Sequence, residues 1–216
     1  MTDREALLDR LYDAVLSGDA EQAVATTNEG LGSDVEPTAL LFDAMIPALE
    51  EVGRRFEAGV VFLPEMLIAA NAMQKAMTIL RPLIVAAGVE TIGTFVMGTV
   101  AGDIHDVGKN LCDVMLEGSG FEVIDLGINV PGHAFVDAIR EHRPDVVGMS
   151  AFLTTTALEF ARNIDLIREA GLRDQVKILI GGAPVDQALV DSVGADGWAP
   201  DASAAVRVTK MVMGIS

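Results

Sequence analysis

Through its first ninety or so positions the chain places apolar residues at three- and four-residue steps; beyond them it turns to short β-rich runs. Leu7, Leu8, Leu11, Val15 and Leu16 form one helical stripe, which Gly18 ends. A second short helix is predicted over 20–31, stopped by Gly32 and Ser33. The third begins near Pro37, a residue favoured in a first helical turn, and runs to Ala58 before Gly59. Pro47 lies inside it and predicts a kink, because proline removes one backbone donor. The fourth runs from Pro64 to about Ala87. Four helices joined by short loops make a small bundle.

From Thr91 onward the runs 94–100, 122–126, 146–150, 176–180 and the brief 197–198 are predicted as strands. Helices fit 107–118, 134–142, 155–170, 185–193 and 202–213. Five strand–helix units imply a parallel sheet with right-handed crossovers, covered on both faces. The fold class is therefore α/β: a four-helix cap over residues 1–88, then a flavodoxin-like doubly wound five-stranded sheet over 89–216. In such a sheet, ligands lie beyond the carboxyl ends of the strands. Gly88–Glu90 is the expected hinge.

The charge balance narrows the function. Net charge is −17 in 216 residues, and it is spread evenly. Residues 1–88 carry 6 Lys and Arg against 14 Asp and Glu, and residues 89–216 carry 9 against 18. Neither part presents a basic face, which argues against nucleic acid as a partner, and an acidic surface disfavours anionic membranes. The most apolar stretches, such as 91–102, are short and glycine-rich, and the acidic start has no signal-peptide core, so a cytoplasmic location is expected. Cys112 is the only cysteine, which excludes an internal disulfide.

The unusual residues gather at strand ends. Gly102, Asp103, Ile104, His105, Asp106, Val107 and Gly108 follow the first strand, and Ser150 to Thr156 follow the third. Gly181 and Gly182 follow the fourth, and Ala199 to Ala202 follow the fifth. All four segments are expected on one edge of the sheet. Asp103 and His105 are two apart on a loop, so the carboxylate can orient the imidazole and fix its tautomer. The glycines allow close approach of a bulky group. Hydroxyls without positive charge suit a large neutral ligand with polar edges better than a phosphate.

The pattern Asp-x-His-x-x-Gly, then forty-one residues to Ser150, then Gly181-Gly182 after twenty-eight beyond Phe152, resembles the cobalamin-binding signature of methionine synthase and related corrinoid proteins. The run FLPEMLIAANAMQKAM over 62–77 resembles the helical cap of the methyl-transferring members. Length and the IGGAPV and GADGWAPDA segments are most similar to the stand-alone corrinoid proteins of methylamine, methanol and methoxyarene systems. The resemblance implies a cobalamin whose cobalt takes His105 as lower ligand. It further implies a relay from His105 to Asp103 and Thr156, and a nucleotide slot lined by Ser150, Phe152, Leu153, Thr154, Gly181, Gly182 and Ala202. Phe152 is a departure, since the family usually has Leu at that place. The implied role is that of a carrier subunit, not a complete enzyme, which takes a methyl group onto cobalt from a substrate-specific methyltransferase and yields it to a second one. The alternative is a cobalamin-responsive sensor.

Other residues have plainer uses. Met66, Met73 and Met77 lie on one face of the fourth helix; such a stripe is usually bundle core, but Phe62, Met66 and Met73 are also candidates to cover the upper face of the corrin. His133 and His142 fall on a different connection and its helix, and a zinc or iron site needs three or four protein ligands. Cys112, Tyr12 and Trp198 are best read as packing residues.

Overall fold

Glycine and aspartate mark the helix boundaries at the start of the chain. α1 (Asp3–Ser17) stops where Gly18 takes φ +76°, a conformation that favours glycine. Asp19 then caps α2 (Ala20–Gly32) by accepting a hydrogen bond from the Gln22 N–H at 2.9 Å. The computed structural model describes residues 3–87 and 91–215, so the expected hinge Gly88–Glu90 lies outside the described residues. The chain divides into two units, Met1–Glu90 and Thr91–Ser216.

The expected third helix is interrupted. α3 (Pro37–Leu40) passes through a π turn (Leu41–Met45) into α4 (Ile46–Glu57). Pro47 has no N–H to donate, and the Ile46 N–H reaches back five residues to the Leu41 carbonyl. The kink thus takes the form of one widened turn just before the proline. α5 (Leu63–Ala86) completes the bundle and sets Met66, Ala69, Ala72, Met73, Ala76 and Leu80 into its core with Leu11, Leu40, Met45 and Leu49. Among the described residues no helix is long and apolar enough to cross a membrane.

In the second unit β1 (Thr94–Thr99), α6 (Val107–Gly118), β2 (Glu122–Asp125), α7 (Gly132–His142), β3 (Val146–Ser150) and α8 (Leu158–Glu169) alternate. A short 3₁₀ turn, then β4 (Lys177–Gly181), α9 (Gln187–Val193), β5 (Gly197–Ala199) and α10 (Ala202–Met213) follow. The sheet order is β2-β1-β3-β4-β5 and every pairing is parallel, as a flavodoxin-like fold requires. The central strands are apolar between their ends, as suits strands covered on both faces. Val96, Val147, Met149, Ile178 and Ile180 share a core with Phe135, Phe160 and Ile164 from the covering helices. Register carries the functional consequence. Thr99 pairs with Ser150, Ser150 with Gly181, and Gly181 with Ala199, so four strands end level and their loops leave one edge together.

Two helices begin later than expected: α9 starts at Gln187 and not at 185, where Asp186 caps it, and α8 is displaced further. The sequence predicts a helix from 155, whereas α8 starts at Leu158. Backbone and hydroxyl donors of residues 152–156 are engaged at Asp103 instead, which holds that stretch as turns.

A buried charge cluster fixes α6 to the end of β2. The Lys109 ammonium is enclosed and lies 2.7 Å from both Asp113 Oδ2 and Asp125 Oδ2. Burial pushes the lysine down, but the two carboxylates outweigh it and hold it above its usual range. Burial pushes the Asp113 carboxyl up to about 6 against the pull of Lys109, and its Oδ1 is buried without a hydrogen-bond partner among the described residues. An acid whose folded pKa is raised contributes stability below its ordinary value of 3.8, and that stability is lost as pH rises through about 6. Wild type should therefore lose stability relative to Asp113→Asn between roughly pH 4 and roughly pH 7, followed by urea unfolding. A difference that stays flat over this range counts against the raised carboxyl.

Candidate functional site

The site is built around one buried carboxylate. Asp103 sits on the loop after β1, and its side chain has 0% exposure. Oδ1 accepts the His105 backbone N–H at 3.0 Å and lies 2.7 Å from the His105 Nδ1. Oδ2 accepts the Phe152 N–H at 2.7 Å and the Thr156 hydroxyl at 2.6 Å, with the Leu153 N–H at 3.4 Å. Burial alone pushes this carboxyl up. The donors from Thr156, His105 and Phe152 outweigh it and hold Asp103 well below the usual carboxylate range. An ionised carboxylate only accepts, so Nδ1 of His105 is the donor in this contact, and in a neutral imidazole the lone pair then lies on Nε2. The His105 side chain is 47% exposed, and Nδ1 is the ring nitrogen that Asp103 engages.

The loop around this pair is held from below. Asp103 N–H donates to the Val100 carbonyl at 3.1 Å, and the Thr99 hydroxyl donates to the His105 carbonyl at 3.2 Å. Asn129, on the connection after β2, takes φ +53° and bonds the loop twice. Its Oδ1 accepts the Gly102 N–H at 2.7 Å, and its N–H donates to the Asp103 carbonyl at 3.0 Å. Thr99, Lys109 and Asn129 escaped the sequence reading. The signal for Asn129 was an asparagine two residues beyond Gly127 in a strand-to-helix connection, since asparagine tolerates the left-handed region.

The predicted residues fall into four groups. Asp103, His105, Phe152, Leu153 and Thr156 meet directly. Gly102, Ile104, Asp106, Val107 and Gly108 form the loop and the start of α6, with Ile104 and Val107 exposed. Ser150, Gly181, Gly182 and Ala202 occupy the neighbouring strand ends and the first turn of α10, and Thr154 is exposed on the loop between β3 and α8. Gly182 has φ +119°, and a Cβ there would lie 1.9 Å from the Ala151 carbonyl oxygen. In the bundle, Met66 and Met73 are core residues with at most 1% exposure, whereas Phe62 is 66% exposed. Of these three candidates, only Phe62 presents its side chain to solvent.

The B12 binding domain family matches residues 93–207, and a second family of the same description matches residues 7–81. The chain is 39% identical to the dimethylamine corrinoid protein of Methanosarcina barkeri, over 97% of this chain and 99% of that protein. The chain belongs to the B12-binding corrinoid proteins. A crystal structure of a cobalamin-binding protein from Desulfitobacterium hafniense is similar at TM-score 0.76 and 32% identity, covering 94% of this chain and 97% of that one. The methanol:cobalamin methyltransferase complex of Methanosarcina barkeri matches at TM-score 0.84 and 26% identity, covering 98% of this chain and 81% of the matched chain.

The site of this B12-binding protein suits a large flat ligand. Ile104, Val107, Ile128, Phe152, Leu153 and Leu158 are all exposed along the carboxyl edge of the sheet, an apolar rim of the kind that marks a binding surface. No lysine or arginine lies in 101–108, 150–157, 181–184 or 199–202. Two substitutions test the geometry in cofactor-free protein. Thr156→Val keeps the shape but removes the hydroxyl from Asp103, and should cost about 1.5–3 kcal/mol in urea unfolding, the range for a hydrogen bond to a charged group. Gly182→Ala should cost more than the roughly 1–3 kcal/mol of backbone strain alone, because its Cβ must also displace the Ala151 backbone. A neutral result for either removes its proposed constraint.

Proposed function

We propose that this protein is a corrinoid carrier, in which His105 Nε2 is the lower ligand to the cobalt of a bound cobalamin. The observation that carries this reading is the buried Asp103 carboxylate at 2.7 Å from Nδ1 of a half-exposed imidazole, which leaves Nε2 as the ring nitrogen available to a ligand. Among the described residues no group of three or more His, Cys, Asp or Glu side chains could hold a metal ion. One imidazole therefore suits a metal whose other positions a macrocycle fills.

When bound, the cobalamin supplies the methyl-carrying chemistry at cobalt. The protein's own residues set the environment. Asp103 orients the imidazole and raises its basicity, and Thr156 stabilises the Asp103 charge. Ser150, Leu153, Thr154, Gly181, Gly182 and Ala202 line the slot for the nucleotide tail, where Gly182 leaves backbone without a side chain against Ala151. Gly102, Ile104, Asp106, Val107 and Gly108 frame the opening around the imidazole. The partners are a substrate-specific methyltransferase that loads the methyl group and a second methyltransferase that receives it. This part of the reading is supported by the likeness to a chain of the methanol:cobalamin methyltransferase complex and by the relatives named for dimethylamine and trimethylamine.

The test is electron paramagnetic resonance of the Co(II) protein loaded with cobalamin. The signal should show splitting by one nitrogen that changes from triplet to doublet when histidine is labelled with ¹⁵N. His105→Ala should lose the splitting and still take up cobalamin. Splitting that persists in His105→Ala assigns the lower ligand elsewhere.

A further inference from the structure

The hydrogen bond to Asp103 fixes where the His105 ring is anchored more firmly than how it is turned. The histidine χ2 is a broad torsion, and a hydrogen bond weakens steeply only when bent below about 120°. A second contact bears on that rotation. The Phe152 ring stacks on the imidazole, with centroids 4.4 Å apart and planes 27° from parallel. Turning the imidazole about its Cβ–Cγ bond drives an edge into the Phe152 face, so the stack resists the motion that the hydrogen bond tolerates.

Phe152 is itself anchored to the same carboxylate. Its N–H donates to Asp103 Oδ2 at 2.7 Å, while Oδ1 faces the His105 ring. Asp103 thus holds both members of the stack, one by the side chain and the other by the backbone. Phe152 is 53% exposed, and among the described residues the imidazole is its aromatic partner. A leucine at this place could touch the imidazole but offers no planar face.

We propose that Phe152 is a positioning residue that sets the plane of the His105 imidazole before the cofactor arrives. The inference rests on His105 as the axial ligand, because the plane of an axial imidazole decides how it clears the inner atoms of a macrocycle. Stacked aromatic pairs of this kind shift an equilibrium by about two- to tenfold.

Two measurements test it, on the cofactor-free protein and on the Co(II) protein. In the cofactor-free protein, the carbon-bound ring protons of His105 should carry an upfield ring-current shift that Phe152→Leu loses and Phe152→Tyr keeps. In the cobalamin-loaded Co(II) protein, Phe152→Leu should broaden the nitrogen splitting and raise the fraction lacking imidazole coordination by about two- to tenfold. Phe152→Tyr should restore the wild-type signal, which a loss of general stability would not predict. Phe152→Leu with unchanged ring-proton shifts and an unchanged splitting overturns the proposal. His105→Ala separates the two readings. If it keeps the nitrogen splitting, the ligand assignment fails and with it the positioning of an axial ligand. If it loses the splitting while Phe152→Leu matches wild type, only the role of Phe152 fails.

Discussion

A carboxylate buried among hydrogen-bond donors organises the second unit of this protein. Isolated burial of such a charge is expensive unless it is paired and hydrogen-bonded. Asp103 meets that demand with donors from two separate loops, one following β1 and the other following β3. Those strands are neighbours in the sheet although they are not consecutive in the chain. Parallel topology brings the two loops to one edge, and the carboxylate joins them there. The switch point between β1 and β3 therefore becomes a rigid lower platform for a ligand, where a pair of unconnected loops would be mobile.

A second buried charge supports the same loop from its other end. Lys109 follows Gly108 in the first turns of α6, and its ammonium lies between Asp113 of the same helix and Asp125 at the end of β2. Removing one partner from a buried ionic group leaves an uncompensated charge, so such clusters hold geometry strongly even where their net contribution to stability is small. Residues 104–108 thus run between two anchored charges. Asn129 adds a third tie from the connection after β2. Rigidity of this kind matches what an axial ligand needs, since its outer contacts set orientation and basicity.

The pattern of the sequence carried the layers of the fold and the strand order expected of five alternating units. It carried less of what depends on conformation at single residues. The Asp103–His105 pair was legible because two residues on one loop are near each other whatever the fold does. Thr156 was reached through resemblance, because its 2.6 Å contact with Asp103 spans fifty-three positions of chain and depends on the register of β1 with β3. The start of α8 shifted because the turns before it answer to Asp103 and not to helical periodicity. Met66 and Met73 show the limit of a stripe: a helical face of methionines is compatible with bundle core or with a ligand surface, and burial of the neighbouring elements puts both in the core. Phe152 stood out as a departure, but its stacking on His105 is a tertiary fact with no local signal.

The relay also contains an adjustable element. The Thr156 hydroxyl has one proton and two acceptors in reach, Asp103 Oδ2 at 2.6 Å and the Leu153 carbonyl at 3.0 Å. The shorter contact to the ionised carboxylate is the stronger, because charge-assisted bonds are about twice as strong as neutral ones. Were His105 to bind a metal through Nε2, as proposed, its Nδ1–H would become more acidic and would draw more on Asp103. A hydroxyl that can lean from one acceptor toward the other follows that change without moving a heavy atom. A backbone N–H such as that of Phe152 lacks this freedom, since its direction is set by the chain. The hydroxyl is therefore the member of the group suited to respond to the electron density at the imidazole, and the backbone donors are the members suited to keep the group in place.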